Sequence, residues 1–596
     1  MSRISGVLLC AGLAGCTTPE AADLILVNGN VYTLDSARPR AQAIAVDGEW
    51  IVAVGANAEI RRYAGAATRT IDLRGAHVFP GFNDAHVHIQ ATGALLTGAN
   101  LLDVHEAGPF VERIKGAAAR LPAGSWITRG DWGAYEQWAA GSAGGPAGGR
   151  AAGRFTPSRD LIDSVTADHP AFVRSFDGAM YLANTRALEA AGIGARTRAP
   201  QAGTIERDAA GRPTGILRGT AVNLVERVIP PIPFEQRLAQ VRAVLQEARE
   251  GGVTTMQDLT TPEQLQAYRE LQRRGELTAR ILLRPSLDNV VHTAGLGLTQ
   301  GFGDHWLKLI GYKAWVDGIM GNSSAMFFRP YDHDPANKGL VRTIMLPEAR
   351  PGAAMGMTKS QKYTDFGVGN LERLLDQAVP TGLTPHVHAI GDKGVRILLD
   401  IYQRVLQRHD MVDSDHRWRV IHAQVLHPDD VRRFGALRLV AEVNPYHVSD
   451  DMRWMEERIG AERSKGAYAF RDLKNAGAVL IFGSDSPGTN AARYYLSPVY
   501  GLYAAVTRQT LSGEPQEGWF PSQRLTIEEA IEAYTRTSAW ASFEEGIKGT
   551  LTAGRLADIA VFDTDLMEAG RTHPARLLEA KVRYTIVGGK VVFQRD

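Results

Sequence analysis

The sequence predicts an α/β fold: a (β/α)8 barrel of the TIM type, with a small composite β-sandwich from both chain ends and a subdomain inserted between barrel strands one and two. Three observations carry the prediction. Through the middle of the chain, eight short β-type runs alternate with helical stretches, the pattern of parallel strands joined by crossover helices. Both ends read as strands broken by turn signals. Between the first and second runs lies a long interval, about residues 100 to 250, with β runs and helices of its own.

Composition sets the frame. The chain has 596 residues, 44% hydrophobic and 22% charged, which is globular and long enough for two domains or one large barrel with additions. A formal net charge of +1 gives no ground for a nucleic-acid or acidic partner. Part of the glycine excess lies in Gly141 to Gly153, where Ala, Gly and Ser dominate, as in a flexible loop.

The first residues form a targeting segment. Arg3 precedes an apolar stretch, Ile4 to Ala14, too short to span a bilayer. It ends in Leu13-Ala14-Gly15-Cys16, which resembles the bacterial lipoprotein signal. By that resemblance Cys16 becomes the lipid-modified first residue. Thr17, in place of Asp, then directs the protein to the outer membrane, facing the periplasm. A simple secretory signal or a buried N-terminal helix is the alternative. The only cysteines are Cys10 and Cys16, so the mature body has no thiol for a disulfide or a metal.

The expected organisation is a signal and tether over 1–22, a sandwich from 23–76 with 545–596, and a barrel over 77–544. At the front, Asp23 to Val31 is β-rich, with a turn signal at Asn28-Gly29-Asn30, and a hairpin turns at Asp47-Gly48. At the back, Asp558 to Phe562, Tyr584 to Val587 and Val591 to Phe593 repeat that character. The barrel strands are Val78–Asp84, Val253–Asp258, Ile281–Arg284, Leu307–Val316, Thr384–His388, Val420–His422, Leu439–Asn444 and Val479–Asp485. A second insertion, about residues 326 to 370, follows strand four. Trp132, Tyr135 and Trp138 in the first insertion suit either an aromatic ligand or packing.

Chemistry-bearing residues gather at the strand ends. His86 and His88 stand one residue apart after the first run and share a face if the strand continues. Lys313 lies in strand four, His386 and His388 end strand five, His422 ends strand six, and Asp485 ends strand eight. Catalytic residues of such barrels come from the carboxyl ends of several strands. Imidazoles with a carboxylate there suit a divalent metal, zinc first. Each residue alone has a plainer role: His422 in the core, Asp485 capping a turn, Lys313 pairing with Asp317. Either His386 or His388 suits as the ligand, the other standing behind it or facing substrate.

Together these motifs resemble the amidohydrolase superfamily of metal-dependent hydrolases. The closest branch is the amidohydrolase 3 group, which includes N-substituted formamide deformylases and YtcJ-like proteins. The motifs are Pro80-Gly81-Phe82-Asn83-Asp84-Ala85-His86-Val87-His88, Lys313-Ala314-Trp315-Val316-Asp317-Gly318, His388-Ala389-Ile390-Gly391-Asp392, His422-Ala423-Gln424, Gly483-Ser484-Asp485-Ser486-Pro487 and Lys548-Gly549-Thr550 with Gly554-Arg555-Leu556-Ala557-Asp558. The resemblance implies that His86, His88, Lys313, His388, His422 and Asp485 surround one or two divalent ions. It prefers His388 over His386. Three positions depart from the pattern, at Ala179, Gly219 and Ile421, and none is a ligand. The chemistry implied is hydrolysis of a non-peptide C–N bond in a small amide-like substrate, through metal-activated hydroxide with Asp485 as general base. Lys313, carboxylated on its amine, would bridge two ions. An ester, lactone or carbamate hydrolase with the same site is the alternative. A regulatory or binding lipoprotein that has lost activity is the third. Sequence leaves the substrate and the oligomeric state open.

Overall fold

In the computed structural model, nine strands among the described residues form two all-parallel sheets, both in chain order. The first holds Phe82–Val87, Val253–Leu259, Arg280–Arg284 and Leu307–Leu309. The second holds Gly311–Trp315, Thr384–Ala389, Arg419–His422, Val440–Val443 and Val479–Phe482. Isolated parallel bridges join the sheets on both sides, Ser286 to Lys313 and Val87 to Ser486. Residues 20–133, 155–176, 178–342, 357–359, 369–488 and 496–595 are described. The leader with Cys16, the Gly141–Gly153 loop, Tyr135, Trp138 and most of 343–368 lie outside them.

The strands are apolar because both faces are covered, as parallel strands require. Helix Asp392–Arg408 shows how. Val395, Leu398, Leu399, Tyr402, Val405 and Leu406 recur at helical spacing and are all buried. No helix among the described residues is long and apolar enough to cross a membrane.

Two expected strands divide. The run at Val78–Asp84 splits at Gly81: His77–Pro80 pairs with Ile559–Phe562, while Phe82–Val87 pairs with Val253–Leu259. At the switch, the Gly81 N–H donates to Asp558 O at 2.9 Å, and a Cβ there would sit 2.2 Å from Thr254 Oγ1. Leu307–Val316 splits at Ile310, where the chain turns from Arg280–Arg284 towards Thr384–Ala389. Local periodicity does not mark a change of partner, so the sequence showed one run in each case.

Both chain ends meet in one six-stranded sheet, ordered 590–594, 582–587, 559–562, 77–80, 30–32 and 40–41. A four-stranded sheet, ordered 50–55, 43–47, 24–27 and 69–72, shares a core with it. Leu26, Val46, Val78, Ile559 and Ile586 belong to that common core. The first insertion forms a five-stranded sheet ordered 203–207, 213–219, 181–183, 171–175 and 127–132. Trp132 lies in its core, edge-on to Phe110 at 5.7 Å. Its role is packing rather than ligand contact.

Candidate metal centre

The C-terminal ends of the first and last parallel strands are stitched together by backbone. The Asp485 N–H donates to His86 O at 2.8 Å, and the His88 N–H donates to Ser486 O at 2.8 Å. The Asp84 carboxylate accepts from the N–H groups of Ser484 at 2.8 Å and His86 at 3.1 Å. Gly483 permits this approach, because a Cβ there would lie 2.5 Å from the His86 nitrogen. His86 ends up buried within its strand. His88 sits just beyond it, at the start of helix Ile89–Thr97.

The result is a triangle of donor atoms. His86 Nε2 lies 3.3 Å from His88 Nε2 and 3.3 Å from Asp485 Oδ1, and His88 Nε2 lies 3.2 Å from the same oxygen. Tetrahedral ligands at about 2.0–2.1 Å from a zinc ion stand roughly 3.3 Å apart. The donor set therefore fits a divalent ion in spacing and in chemistry. His422 joins His86 and Asp485 in a group whose ligand atoms all lie within 4.8 Å of one another.

Partners behind the imidazoles select the free nitrogen of each. His86 Nδ1 meets Glu442 Oε1 at 2.6 Å, which assigns its proton there and leaves Nε2 to the triangle. His422 Nδ1 meets Asn444 Oδ1 at 2.6 Å, and Asn444 in turn donates to Gly483 O at 3.0 Å. His388 Nε2 meets Gly318 O at 3.0 Å, which leaves its Nδ1 free. The rings of His388 and His422 stand 4.5 Å apart. Burial, then the Lys313 charge, holds His86 well below the ordinary histidine range. His388 is lowered well below that range by burial and then by His422, and burial lowers His422 to about 4. Burial acts to raise the Asp485 carboxyl, but His86, His88 and His422 overcome it and hold the group well below the carboxylate range. Neutral His86, His388 and His422 beside an ionised carboxylate are protonation states that suit a metal.

Lys313 is buried, its Nζ 3.1 Å from His86 Nε2. Burial and then the Arg284 charge lower its pKa from 10.5 to about 7. The Lys313–Asp317 pair does not form. Asp317 instead accepts the backbone N–H groups of Met326 at 2.8 Å, Ile390 at 3.0 Å and Gly391 at 2.9 Å, and lies 3.6 Å from His388 Nε2. Asp317 thus shapes the loop after strand five. His386 is placed deeper, fully buried with Nε2 on Thr384 Oγ1 at 2.7 Å, away from the pocket.

Besides Asn444, four partners were not anticipated from sequence: Glu442, Arg284, Arg419 and His447. Glu442 holds His86 while pairing with Arg284 at 2.7 Å and Arg419 at 3.0 Å, all three fully buried. A lone charge inside the apolar run Leu439–Asn444 was the signal for it. His447 completes the set, with Nε2 3.9 Å from Asp485 Oδ2.

Above the centre opens a cavity of about 480 Å³ reaching from His88, His422 and Asp485 to the inserted sheet. Its walls are largely apolar, with Leu95, Leu102, Phe176, Leu259, Met320 and Trp454. That volume suits a small molecule.

The comparisons agree with this architecture. A model of the amidohydrolase family matches residues 69–593. The Protein LONG AFTER FAR-RED 3 of Arabidopsis thaliana is 32% identical, across 97% of this chain and 93% of its own. An N-substituted formamide deformylase of Arthrobacter pascens is 25% identical, across 97% of this chain and 99% of its own. A crystal structure of a metal-dependent hydrolase from Pyrococcus furiosus superposes with a TM-score of 0.68 at 24% identity, covering 91% of this chain and 99% of that one.

Proposed function

The chain belongs to the amidohydrolase family, and from that premise we propose that it hydrolyses a non-peptide, amide-like C–N bond at the His86–His88–Asp485 centre. The observation that carries the reading is the donor triangle, with edges of 3.2, 3.3 and 3.3 Å, at the mouth of a cavity of small-molecule size. The similarity to an N-substituted formamide deformylase supports an amide-like substrate. The two parallel sheets are taken as one closed (β/α)8 barrel, a reading supported by the two seam bridges. The paired end sheets are taken as its composite sandwich.

His86, His88, His388, His422 and Asp485 would hold one or two divalent ions, zinc first. Such an ion, when bound, lowers the pKa of a water from about 16 to about 7 and polarises a carbonyl oxygen. Asp485 does the proton work. It lines the cavity and, in its ionised form, can accept a proton from the attacking water and return it to the leaving nitrogen. Glu442 and Asn444 keep His86 and His422 in the tautomers this needs.

Lys313 is assigned as a carbamate. A bare ammonium 3.1 Å from a metal-binding nitrogen would repel the ion. Its amine, joined to carbon dioxide with loss of one proton, becomes an anion with two oxygens able to bridge two ions. The same reading places the protein at the bacterial envelope through a lipid on Cys16. One acyl chain anchors only marginally and several together anchor stably. Unchanged membrane attachment of Cys16→Ala would remove that part. The hydrolase reading is tested by assaying the zinc-loaded protein against matched amides, formamides and esters. Turnover of the amides is expected. Cleavage of esters alone would replace the reading with esterase chemistry, and no cleavage of any would favour a binding protein.

A further inference from the structure

We propose that the substrate carries a carboxylate at the end remote from the bond that breaks, and that Arg129 receives it. This rests on the hydrolase reading and names its substrate class: an amide with an apolar body and an anionic tip.

The far wall of the cavity comes from the inserted sheet. Arg129 and Asp131 lie on strand Ile127–Trp132, and Arg174 lies on its parallel neighbour, Ala171–Ser175. Three charges meet there, two guanidiniums and one carboxylate. Arg174 Nε takes Asp131 Oδ1 in a close hydrogen bond. The Arg129 side chain is left with a 4.0 Å approach to the other oxygen and makes no hydrogen bond to the described residues. Among the described residues, two guanidiniums thus share one carboxylate, which leaves one positive charge in excess facing the cavity, on a side chain that is 36% exposed.

Its surroundings sharpen the meaning. The cavity wall is largely apolar, with Leu95, Leu102, Phe176 and Leu259 among its residues, so a guanidinium there gains from an anion that reaches it. Of the other carboxylates lining the cavity, Asp485 belongs to the metal centre, and Asp451 Oδ2 is engaged by Gln424 at 2.7 Å and by Tyr468. The backbone at Arg129 and Asp131 has φ of 71° and 57°, a region costly for residues with a Cβ, and this conformation sets where both side chains point. A second cavity, of about 330 Å³, shares Gln90 and Arg129 with the first, so the guanidinium stands where the two adjoin. A planar fork in this position suits bidentate capture of a carboxylate.

The test compares phenylbutyrate with its neutral isostere phenylbutyramide, titrated calorimetrically into the zinc-loaded protein. Wild type should bind the carboxylate about ten- to a hundredfold more tightly. In Arg129→Gln that ratio should fall towards one, with phenylbutyramide binding unchanged, which shows an intact pocket. Equal affinities in wild type would overturn the proposal. So would a preference that survives in Arg129→Gln, since the carboxylate would then sit on the metal. If Arg129→Gln does not fold, Arg129→Lys keeps the charge and loses the fork. Its ratio should drop severalfold, and an unchanged ratio would overturn the proposal. A pair of formamides, one tipped with a carboxylate and one with a methyl group, separates the two readings. No turnover of either, with the binding preference intact, defeats the hydrolase reading and leaves the anion site standing.

Discussion

At the N-terminal ends of the parallel strands, Arg280 grips Asp558 with two hydrogen bonds, Nε to Oδ2 at 2.7 Å and Nη2 to Oδ1 at 2.9 Å. Its remaining nitrogen reaches His305 O at 2.9 Å. Nearby, Lys548 pairs with Glu544 at 2.6 Å. At the C-terminal ends, His86, His88, His422 and Lys313 crowd one carboxylate, Asp485. His422 and Asp485 there hold φ of 70° and 57°. Both clusters are buried and charged. The first matches opposite charges with opposite charges and needs nothing more. The second sets bases against bases and becomes complete only with added cations. Unfinished electrostatics, held in strained backbone, mark the working end of the molecule, and matched pairs mark the supporting end.

The contrast breaks most sharply at Asp485. Asp485→Asn keeps the shape and removes the proton acceptor, so kcat should fall about a hundred- to ten-thousandfold with the thermal midpoint little changed. Retained kcat across the pH range would assign the proton to another group. The opposite behaviour is expected at the other end. Arg280→Met removes the main charge partner of buried Asp558 and should cost about 3–5 kcal/mol of stability by denaturant titration. Whatever fraction stays folded should keep its kcat. A variant that loses kcat without losing stability would erase the distinction between the ends.

Smaller effects sharpen it. Asn444→Ala frees the His422 ring and should weaken metal affinity about ten- to a hundredfold, measured by competition with a chelator. Unaltered affinity would remove His422 from the ligand set. The pH dependence of stability separates the ends again. Burial pushes Asp258, which holds the Ile89 N–H beside the centre, up to about 7. The folded chain keeps that proton towards pH 7, whereas the unfolded chain releases it near 4. This component of stability therefore falls as pH rises between those values, by on the order of 4 kcal/mol. Asp258→Asn should flatten that part of the curve. Arg280 and its neighbours, against the opposing pull of burial, hold Asp558 below its ordinary value, so its contribution is present above about pH 4 and lost only as pH falls further. An identical slope in Asp258→Asn and wild type would show that Asp258 does not hold this proton.

Much of the working end was legible because its residues interrupt apolar β runs with metal-binding side chains. His86, His88, Lys313, His388, His422 and Asp485 were each visible in that way. Their supports were harder to see. Glu442 pairs with Arg284 and Arg419 from other strands, and only the folded structure brings those charges together. Asn444 is an ordinary residue until its oxygen meets His422. The strand switches at Gly81 and Ile310 escaped for the same reason, since a change of pairing partner leaves no periodic trace. The anionic-tip pocket was hidden further still. Arg129 and Arg174 lie far apart in the chain and meet only because their strands are neighbours.

The central claim is that the C-terminal end is completed by metal, and metal content per chain tests it most directly. Elemental analysis of purified wild type should find two divalent ions per chain, zinc first, and Lys313→Ala should hold fewer. Chelation should abolish turnover and zinc should restore it. The same single ion in both proteins, with similar activity, would remove the carbamate bridge. Full turnover by wild type with no bound divalent ion would contradict the account itself.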